Sequence, residues 1–370
     1  MEEVMAKKKG YGFGIVGCGM VADFHAQAID AMKGGHLACV YSRSKANAAR
    51  MAKNYGCAAF TDYDAFLSHP GLDIVSIATP SGAHLEPSAK AAAAGKHIVC
   101  EKPLETTLER IDKMIAACKA NKVMLAGIFQ RRFNEASQVF KKVVEAGRLG
   151  RITLADAYIK WYRTQKYYDS GAWRGTWKLD GGGAMMNQSI HTIDLLYYLN
   201  GDVTSVCAYA DLSLHKRIEV EDNAVAILRF KNGSMGVIEA STACFSHTGL
   251  PAEVQLCGSE GSIFMRDNSF AVWDLKKPKP KDKKIMKELG AKAGGKSEGA
   301  TDPSAMTYVQ HQRNFENVVR ALKTGTAPLI DGEEGRKSVE IILAIYRSAL
   351  MGGKPVALPL KRTPPRRPFR

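Results

Sequence analysis

Residues 14 to 22 read Gly14-Ile15-Val16-Gly17-Cys18-Gly19-Met20-Val21-Ala22. They extend the apolar run from Tyr11 to Val16, which reads as a short buried strand. They lead into Val21 to Met32, whose alanines and apolar residues suit a helix. Gly17, Gly19 and Ala22 are spaced as G-x-G-x-x-A. A chain that leaves a parallel strand and enters a helix must turn tightly, and only Gly does this cheaply at positive φ. The second Gly leaves room for a pyrophosphate against the backbone, and the small third residue lets helix and strand pack closely. The helix N-terminus presents unpaired N–H groups and partial positive charge to phosphates. The expected cradle is Gly17, Gly19, Met20 and Val21. The competing reading is a glycine-rich loop that holds no ligand.

Working outward, the chain of 370 residues is too long for one ordinary core, so two domains are expected. No apolar run approaches the roughly 20 residues of a membrane helix. The stretch from Met1 to Gly10 is charged and lacks an apolar signal core, so secretion is not expected. The eight cysteines show no C-x-x-C pair. Cys39, Cys100 and Cys207 sit in strand-like runs and read as small core hydrophobes. A reducing, cytoplasmic setting without a structural zinc or other metal is the expectation.

The net charge of +15 raises the question of nucleic acid, and its placement argues against it. Lys276 to Lys296 carries nine lysines against Asp282 and Glu288, and Lys361 to Arg370 adds five basic residues and no acid. These two segments hold +12 of the +15. They read as an exposed loop and a mobile tail, either solubilising the surface or meeting an anionic partner.

The run from Leu37 to Ser42 reads as a second strand. The residue at its end decides the cofactor, because an acid there accepts from the adenosine ribose 2′-OH. Here the run is Tyr41-Ser42-Arg43-Ser44-Lys45, with no acid. Arg43 can stack on adenine and pair with a 2′-phosphate, and Ser42 and Ser44 can donate to it. NADP is therefore favoured over NAD; the alternative is that Arg43 is a solvated loop residue. Helices are expected at Ala46 to Tyr55, Asp62 to Ser68, Leu85 to Gly95 and Thr106 to Ala120. Strands are expected at Asp73 to Ala78, His97 to Cys100 and Val123 to Phe129. This alternation over about 130 residues is the mark of a doubly wound parallel sheet of the Rossmann type. Pro80 ends one strand and exposes the Thr79 hydroxyl where ligands sit in such sheets. Lys102 stands at another strand end, fixed by Pro103. Partial burial there lets a lysine exchange protons near neutral pH.

In the second half, Asn134 to Ala146 reads as an amphipathic helix and Ile152 to Tyr162 as an alternating strand. The aromatic stretch Trp161 to Trp177 suits a sugar-binding wall and a packed loop equally. Gly181 to Leu196 reads as a glycine turn entering a helix, with Asn187 and His191 at i and i+4 on one face and Asp194 within reach of the same side. Val203 to Leu212, Asn223 to Phe230, Ser234 to Ala243 and Glu253 to Cys257 read as an antiparallel sheet with turns at Lys231-Asn232-Gly233 and Gly258 to Gly261. A helix is expected from Asp302 or Ser304 to near Thr324, and another from Gly335 to Met351.

From Gly12 to about Leu360 the pattern resembles the Gfo/Idh/MocA oxidoreductases. The residues that carry the resemblance are Gly14 to Gly19, Thr79-Pro80-Ser81 with His84, Glu101-Lys102-Pro103, Trp173-Arg174, Gly181 to His191, and Gly332 to Arg336. The resemblance implies that Lys102 and His191 are catalytic. It further implies that Thr79, Pro80, His84, Glu101, Lys102, Gln130, Trp173 and Arg174 line the cofactor or substrate site, with Tyr308 reaching the nicotinamide. Many members carry Asp four residues before the His. This chain has Asn187, which can orient a substrate hydroxyl but cannot take its proton. The family also packs its open sheet face against a partner subunit, so a homodimer or homotetramer is expected.

The expected architecture is α/β plus α+β: residues 1–130 a Rossmann dinucleotide-binding domain, 131–360 a substrate-binding and oligomerisation domain with an open-faced, mostly antiparallel sheet, and 361–370 a basic tail. The expected function is hydride transfer between NADP or NAD and a hydroxyl-bearing carbon of a sugar, sugar derivative or cyclitol. An NAD-dependent glycosidase that oxidises its sugar transiently, and a non-catalytic cofactor-binding sensor, are the alternatives.

Overall fold

The computed structural model describes residues 10–291 and 307–369. The chain divides into two compact units, one built from residues up to 105, 109–130 and 307–336, the other from 106–108, 131–306 and 337 onward.

In the first unit, β1 (Tyr11–Val16), β2 (Gly35–Tyr41), β3 (Ala58–Phe60), β4 (Ile74–Ile77), β5 (His97–Cys100) and β6 (Leu125–Gly127) form one sheet in the order β3-β2-β1-β4-β5-β6. Every pairing is parallel. All four residues of β4 are buried, as in a strand covered on both faces. The order reverses between β1 and β4, so the loops after Val16 and Ile77 flank the switch point at which such sheets open a crevice. Helices α1 (Met20–Ala31), α2 (Lys45–Tyr55), α3 (Tyr63–Leu67), α4 (Leu85–Ala93) and α5 (Leu108–Ala120) alternate with the strands. The core joins Phe13, Ile15, Ala22, Ala26 and Ile29 to Phe315, Val318 and Val319 of the helix Val309–Thr324. The Phe13 and Phe315 rings meet edge to face at 5.5 Å. A segment far along the chain therefore completes the N-terminal core, which local periodicity does not disclose. The start expected for that helix, at Asp302 or Ser304, lies outside the described residues.

In the second unit come α6 (Glu135–Glu145), β7 (Ile152–Lys160), α7 (Gln165–Asp169), a π-helical turn at Ala184–Ser189 and α8 (Ile190–Asn200). Next are β8 (Val203–Asp211), β9 (Asn223–Phe230), β10 (Met235–Ser241), β11 (Glu253–Gly258), β12 (Gly261–Arg266), β13 (Ser269–Leu275), α9 (Pro280–Leu289) and β14 (Val356–Ala357). The sheet runs β13-β12-β11-β7-β10-β9-β8-β14. Only the pairing of β10 with β7 is parallel. β9 alternates strictly, with Ala224, Ala226, Leu228 and Phe230 inward and Asn223, Val225, Ile227 and Arg229 outward. The sequence reading stops short of β12 and β13, although the turn at Gly258 to Gly261 is in place.

Two basic segments depart from expectation. Residues 280–289 of the supposed lysine loop form α9, with Pro280 at its first position. Asp282 caps it by accepting from the Lys279 N–H at 2.6 Å and is gripped by both Arg148 nitrogens at 2.8 and 2.6 Å. The segment 292–296 lies outside the described residues. The tail from Lys361 is packed rather than mobile. The Thr363 hydroxyl accepts from the Leu108 N–H at 2.9 Å, and Arg366 donates to the Thr106 carbonyl at 2.7 Å. The Arg367 carbonyl accepts from the Trp177 indole at 3.1 Å. Phe369 is 9% exposed, with its ring 5.8 Å from Trp177 and 6.0 Å from Tyr346. Prolines lower the entropy lost on docking this tail, and the buried ring anchors it.

Tyr346 leads to a fully buried acid. Glu221 is 0% exposed. Its carboxylate accepts from the Gly183 N–H at 3.0 Å, the Met185 N–H at 2.8 Å and the Tyr346 hydroxyl at 3.0 Å, and its carbonyl accepts from the Ala184 N–H at 3.1 Å. Three successive N–H groups of the turn before α8 are thereby satisfied by one residue. A Cβ at Gly183 would collide with the Glu221 carbonyl, so only glycine fits there.

Burial pushes the Glu221 carboxyl up to about 7, against the hydrogen bonds that favour its ionised form. The folded protein therefore holds a proton between about pH 4.5 and 7 that the unfolded chain has released, so stability from this group falls as pH rises through that window and is level above it. Glu221→Gln abolishes this dependence. Urea midpoints at pH 5 and pH 8 are expected to show wild type losing more stability than the variant on going to pH 8, by on the order of 3 kcal/mol. Equal losses in the two proteins contradict the assignment.

Candidate active site

The glycine turn in the first unit has the shape the sequence implies. Gly17 has φ +94°, and a Cβ there would sit 2.7 Å from the Ala78 carbonyl oxygen, so this turn admits only glycine. Its N–H donates to the Tyr41 carbonyl at 2.9 Å, which sets the cradle beside the end of β2. Around Gly19 a Cβ position meets nothing within 4 Å, and the first turn of α1, with Met20 48% exposed, has no side-chain cap. Open space in front of uncapped N–H groups fits a pyrophosphate. Arg50, which the sequence reading passes over, shapes this turn. It grips Asp23 at 3.0 and 3.1 Å and donates to the Cys18 carbonyl at 3.2 Å. Beyond β2, the Ser42 hydroxyl accepts from the Ser44 N–H at 3.1 Å, Ser44 caps α2, and Arg43 is exposed.

At the ends of β4 and β5 the polar groups are already engaged. Thr79 donates its hydroxyl to the Ala83 carbonyl at 3.0 Å, and Pro80 precedes the short turn Ser81–Ala83. His84, 1% exposed, has Nε2 at 2.9 Å from the Thr79 carbonyl and Nδ1 at 2.9 Å from the Pro103 carbonyl. Its ring staples the Thr79 loop to the segment that follows Lys102. Glu101 is buried, and its Oε2 accepts from the Lys102 N–H at 3.0 Å. Its Oε1 lies 3.0 Å from His25 Nε2 and 3.5 Å from His311 Nε2, while the Ser76 hydroxyl meets His25 Nδ1 at 2.9 Å. Burial pushes the Glu101 carboxyl up, but the bonds and charges of the two histidines outweigh it and hold the group well below the usual range. Burial also lowers His25. His25 thus bridges Glu101 at Nε2 and Ser76 at Nδ1, while the buried Nδ1 of His311 has no hydrogen-bond partner among the described residues. These 3.0 Å contacts are hydrogen bonds, and they anchor the backbone that carries half-buried Lys102. Gln130 begins the turn after β6, and its buried Oε1 has no hydrogen-bond partner among the described residues. Tyr308 packs against the core around Phe13.

In the second unit the turn that Glu221 holds carries Asn187. Its segment is π-helical, so residues four apart no longer stack as in a regular helix, and the spacing argument for Asn187 and His191 loosens. The Asn187 amide donates to Asp180 and accepts from Gln188 Nε2 at 2.7 Å. The sequence reading sees no carboxylate at this point; the fold supplies Asp180, 2% exposed, whose other oxygen accepts from the Gly175 N–H at 2.8 Å. His191 is half-buried in the first turn of α8. Asp194 is committed to other partners. It is 0% exposed and bound by Arg132 at 2.7 and 2.8 Å and by the Ser338 hydroxyl at 2.8 Å. Trp173 and Tyr167 sandwich the Arg174 guanidinium at 4.6 and 4.2 Å. Tyr167 in turn accepts from Gln188 at 2.8 Å, which ties Arg174 to Asn187 through two side chains.

Comparison with known proteins agrees with this architecture. Residues 11–129 match the family model described as an oxidoreductase family with an NAD-binding Rossmann fold, and residues 137–264 match the GFO/IDH/MocA C-terminal domain. Myo-inositol 2-dehydrogenase of Thermotoga maritima is 25% identical over 90% of this chain and 95% of its own. The WlbA dehydrogenase of Bordetella pertussis, solved in complex with NADH and UDP-GlcNAcA, is 34% identical over 96% of this chain and 99% of that one, with a TM-score of 0.85. Its counterpart from Chromobacterium violaceum, solved with the same two molecules, is 31% identical over 96% of this chain and 97% of that one, with a TM-score of 0.84. Two consecutive domain models and likenesses that span nearly the whole chain lead to one conclusion: this protein belongs to the Gfo/Idh/MocA family of oxidoreductases.

Proposed function

We propose that this protein catalyses reversible hydride transfer between a nicotinamide dinucleotide, NADP in preference to NAD, and a hydroxyl-bearing carbon of a sugar, sugar derivative or cyclitol. The observation that carries the reading is Lys102, whose backbone is pinned by Glu101 at the carboxyl end of β5, in the same sheet as the open glycine turn. Ligands of open parallel sheets bind at those strand ends.

The dinucleotide supplies the redox step when bound, and the protein supplies orientation and proton handling. Gly17, Gly19, Met20 and Val21 cradle its pyrophosphate, and the Gln130 carbonyl offers an unused acceptor to a polar group of the ligand. His191 takes the proton of the substrate hydroxyl, and Lys102 stabilises the developing alkoxide. With Lys102 as proton carrier instead, the same two side chains remain necessary. Asn187 orients a substrate hydroxyl, and Asp180 fixes the amide that does so. A carbinol carbon held in line for transfer gains most from such fixed partners.

The NADP preference rests on the end of β2, where Ser42, Arg43 and Ser44 offer a cation and hydroxyls but no acid to a ribose. A second copy of the chain fits the outward face of the large sheet, where Tyr209 (71% exposed), Ile227 (57%), Val225 (46%), Met235 (46%) and Leu154 (44%) lie on neighbouring strands. Apolar side chains of this size in adjoining rows mark an association surface.

Lys102→Met tests the role of the lysine. Turnover is expected to fall about a hundredfold or more, while the dissociation constant of the reduced cofactor, read by its fluorescence, stays close to that of the wild type. Retained turnover contradicts the assignment. Arg43→Ala tests the cofactor reading. The KM for NADP is expected to rise about tenfold, the effect of losing a charged hydrogen bond, with little change in the KM for NAD. A wild-type enzyme that favours NAD, together with a variant that shifts neither KM, contradicts it.

A further inference from the structure

Three side chains from distant parts of the sequence converge in the first unit. His25 comes from α1, Glu101 from the residue after β5, and His311 from the helix Val309–Thr324. Glu101 Oε1 lies 3.0 Å from His25 Nε2 and 3.5 Å from His311 Nε2. Among the described residues this is the one place where three such ligand atoms gather, all within 4.8 Å of one another. Two ligands held about 2.0–2.1 Å from one tetrahedral ion stand roughly 3.4 Å apart, a spacing that the two contacts of Glu101 bracket. The wider gap between the imidazoles closes by a turn of the His311 ring, which no hydrogen bond at Nδ1 restrains.

His311 is the unanswered member of the cluster. It is 3% exposed, its Nδ1 has no hydrogen-bond partner among the described residues, and its Nε2 stands from Glu101 at the limit of a hydrogen bond. A buried imidazole held this loosely costs stability that a further partner would return. Phe24 stacks on its ring at 6.2 Å, and Phe315 meets His25 edge-on at 5.4 Å, so apolar rings wall the cluster. The other two groups carry the outer bonds that orient metal ligands. Ser76 holds His25 Nδ1 at 2.9 Å and so turns Nε2 inward, and Glu101 Oε2 takes the Lys102 N–H at 3.0 Å and leaves Oε1 facing the imidazoles. Glu101 is held ionised and burial keeps His25 neutral, the forms that bind a metal ion.

We propose that His25, Glu101 and His311 form a binding site for a divalent transition-metal cation of the zinc class, through two imidazole nitrogens and one carboxylate oxygen. Imidazole ligands favour Zn²⁺ over the hard cations Mg²⁺ and Ca²⁺. His25 binds through Nε2 and keeps its proton on Nδ1, where it donates to the Ser76 hydroxyl. Oε2 stays on the Lys102 N–H, so occupancy stiffens the strand end that carries the lysine. The site is measured with no substrate present and stands or falls separately from the hydride-transfer reading.

The untagged full chain, stripped with EDTA, is titrated with Zn²⁺ against a chromophoric chelator and, in a second experiment, with Co²⁺. One Zn²⁺ per chain is expected, with a dissociation constant of about 10 μM or tighter. Co²⁺ is expected to give visible ligand-field bands without the near-ultraviolet charge transfer of thiolates, which separates this site from the eight cysteines. His311→Phe, which keeps a ring against Phe24, is expected to weaken Zn²⁺ by about a hundredfold or more, and Ser76→Ala by about tenfold. Millimolar Mg²⁺ is expected to displace none of it. Weaker binding to the folded wild type, a thiolate band, displacement by Mg²⁺, or unchanged affinity in a folded His311→Phe protein overturns the proposal. Circular dichroism checks the fold of each variant, and if His311→Phe does not fold, Ser76→Ala and the Co²⁺ spectrum of the wild type decide.

Discussion

Glu221 has no contact with solvent, and the groups that compensate its burial are the N–H groups of Gly183 and Met185 and the hydroxyl of Tyr346. Unsatisfied, a buried carboxylate costs several kcal/mol, so the fold exists only with the turn closed around it. That turn starts the segment bearing Asn187 and His191. Tyr346, in turn, is backed by Phe369 and Trp177, so the end of the chain supports the same point. The first unit repeats the device. Glu101 is buried against His25 and His311, and its second oxygen takes the N–H of Lys102. Each candidate catalytic side chain thus hangs from a backbone that a buried acid has tied down, and precision of this kind is what a reaction governed by positioning requires.

The distribution of charge follows from the same economy. Most of the +15 lies in two segments, and composition alone presents both as solvated. The structure ties down the described part of each. Asp282 meets Arg148 and caps a helix that starts on Pro280, and Phe369 inserts its ring beside Trp177. A single acid or aromatic residue in a basic run outweighs the average of its neighbours, because burial rewards the specific contact and not the mean. The charge of Arg131, Arg163 and Arg174 is different in kind. It is held among rings beside the candidate chemistry rather than spread over a surface.

The legible features are those whose physics is local. The glycine spacing at Gly17 and Gly19, the alternation of strands and helices, the Lys102 strand end and the glycine turn before α8 are all written in residues near one another. The groups that hold the site in place are not. Glu221 reaches Gly183 across 38 residues and His25 reaches Glu101 across 76, and an isolated acid or histidine in an apolar run carries no mark of its partner. Asp180 lies only seven residues before Asn187, but the glycine turn between them has no periodicity from which to place it, and Asp194 follows His191 on a regular turn of α8 yet is drawn into a buried pair by Arg132, 62 residues before it. The helix Val309–Thr324 shows the same limit at the level of the core, since its amphipathic pattern announces a buried face but not that Phe13 and Ile29 lie against it.

In the proposed reaction a hydride leaves or reaches a carbinol carbon directly. A substrate that this enzyme turns over, carrying deuterium on the reacting carbon, tests it with oxidised cofactor in ordinary water. Direct transfer places the deuterium on C4 of the reduced nicotinamide and slows turnover with a primary isotope effect when chemistry limits the rate. Deuterium recovered in the solvent, or product formed with no label on the cofactor, contradicts it.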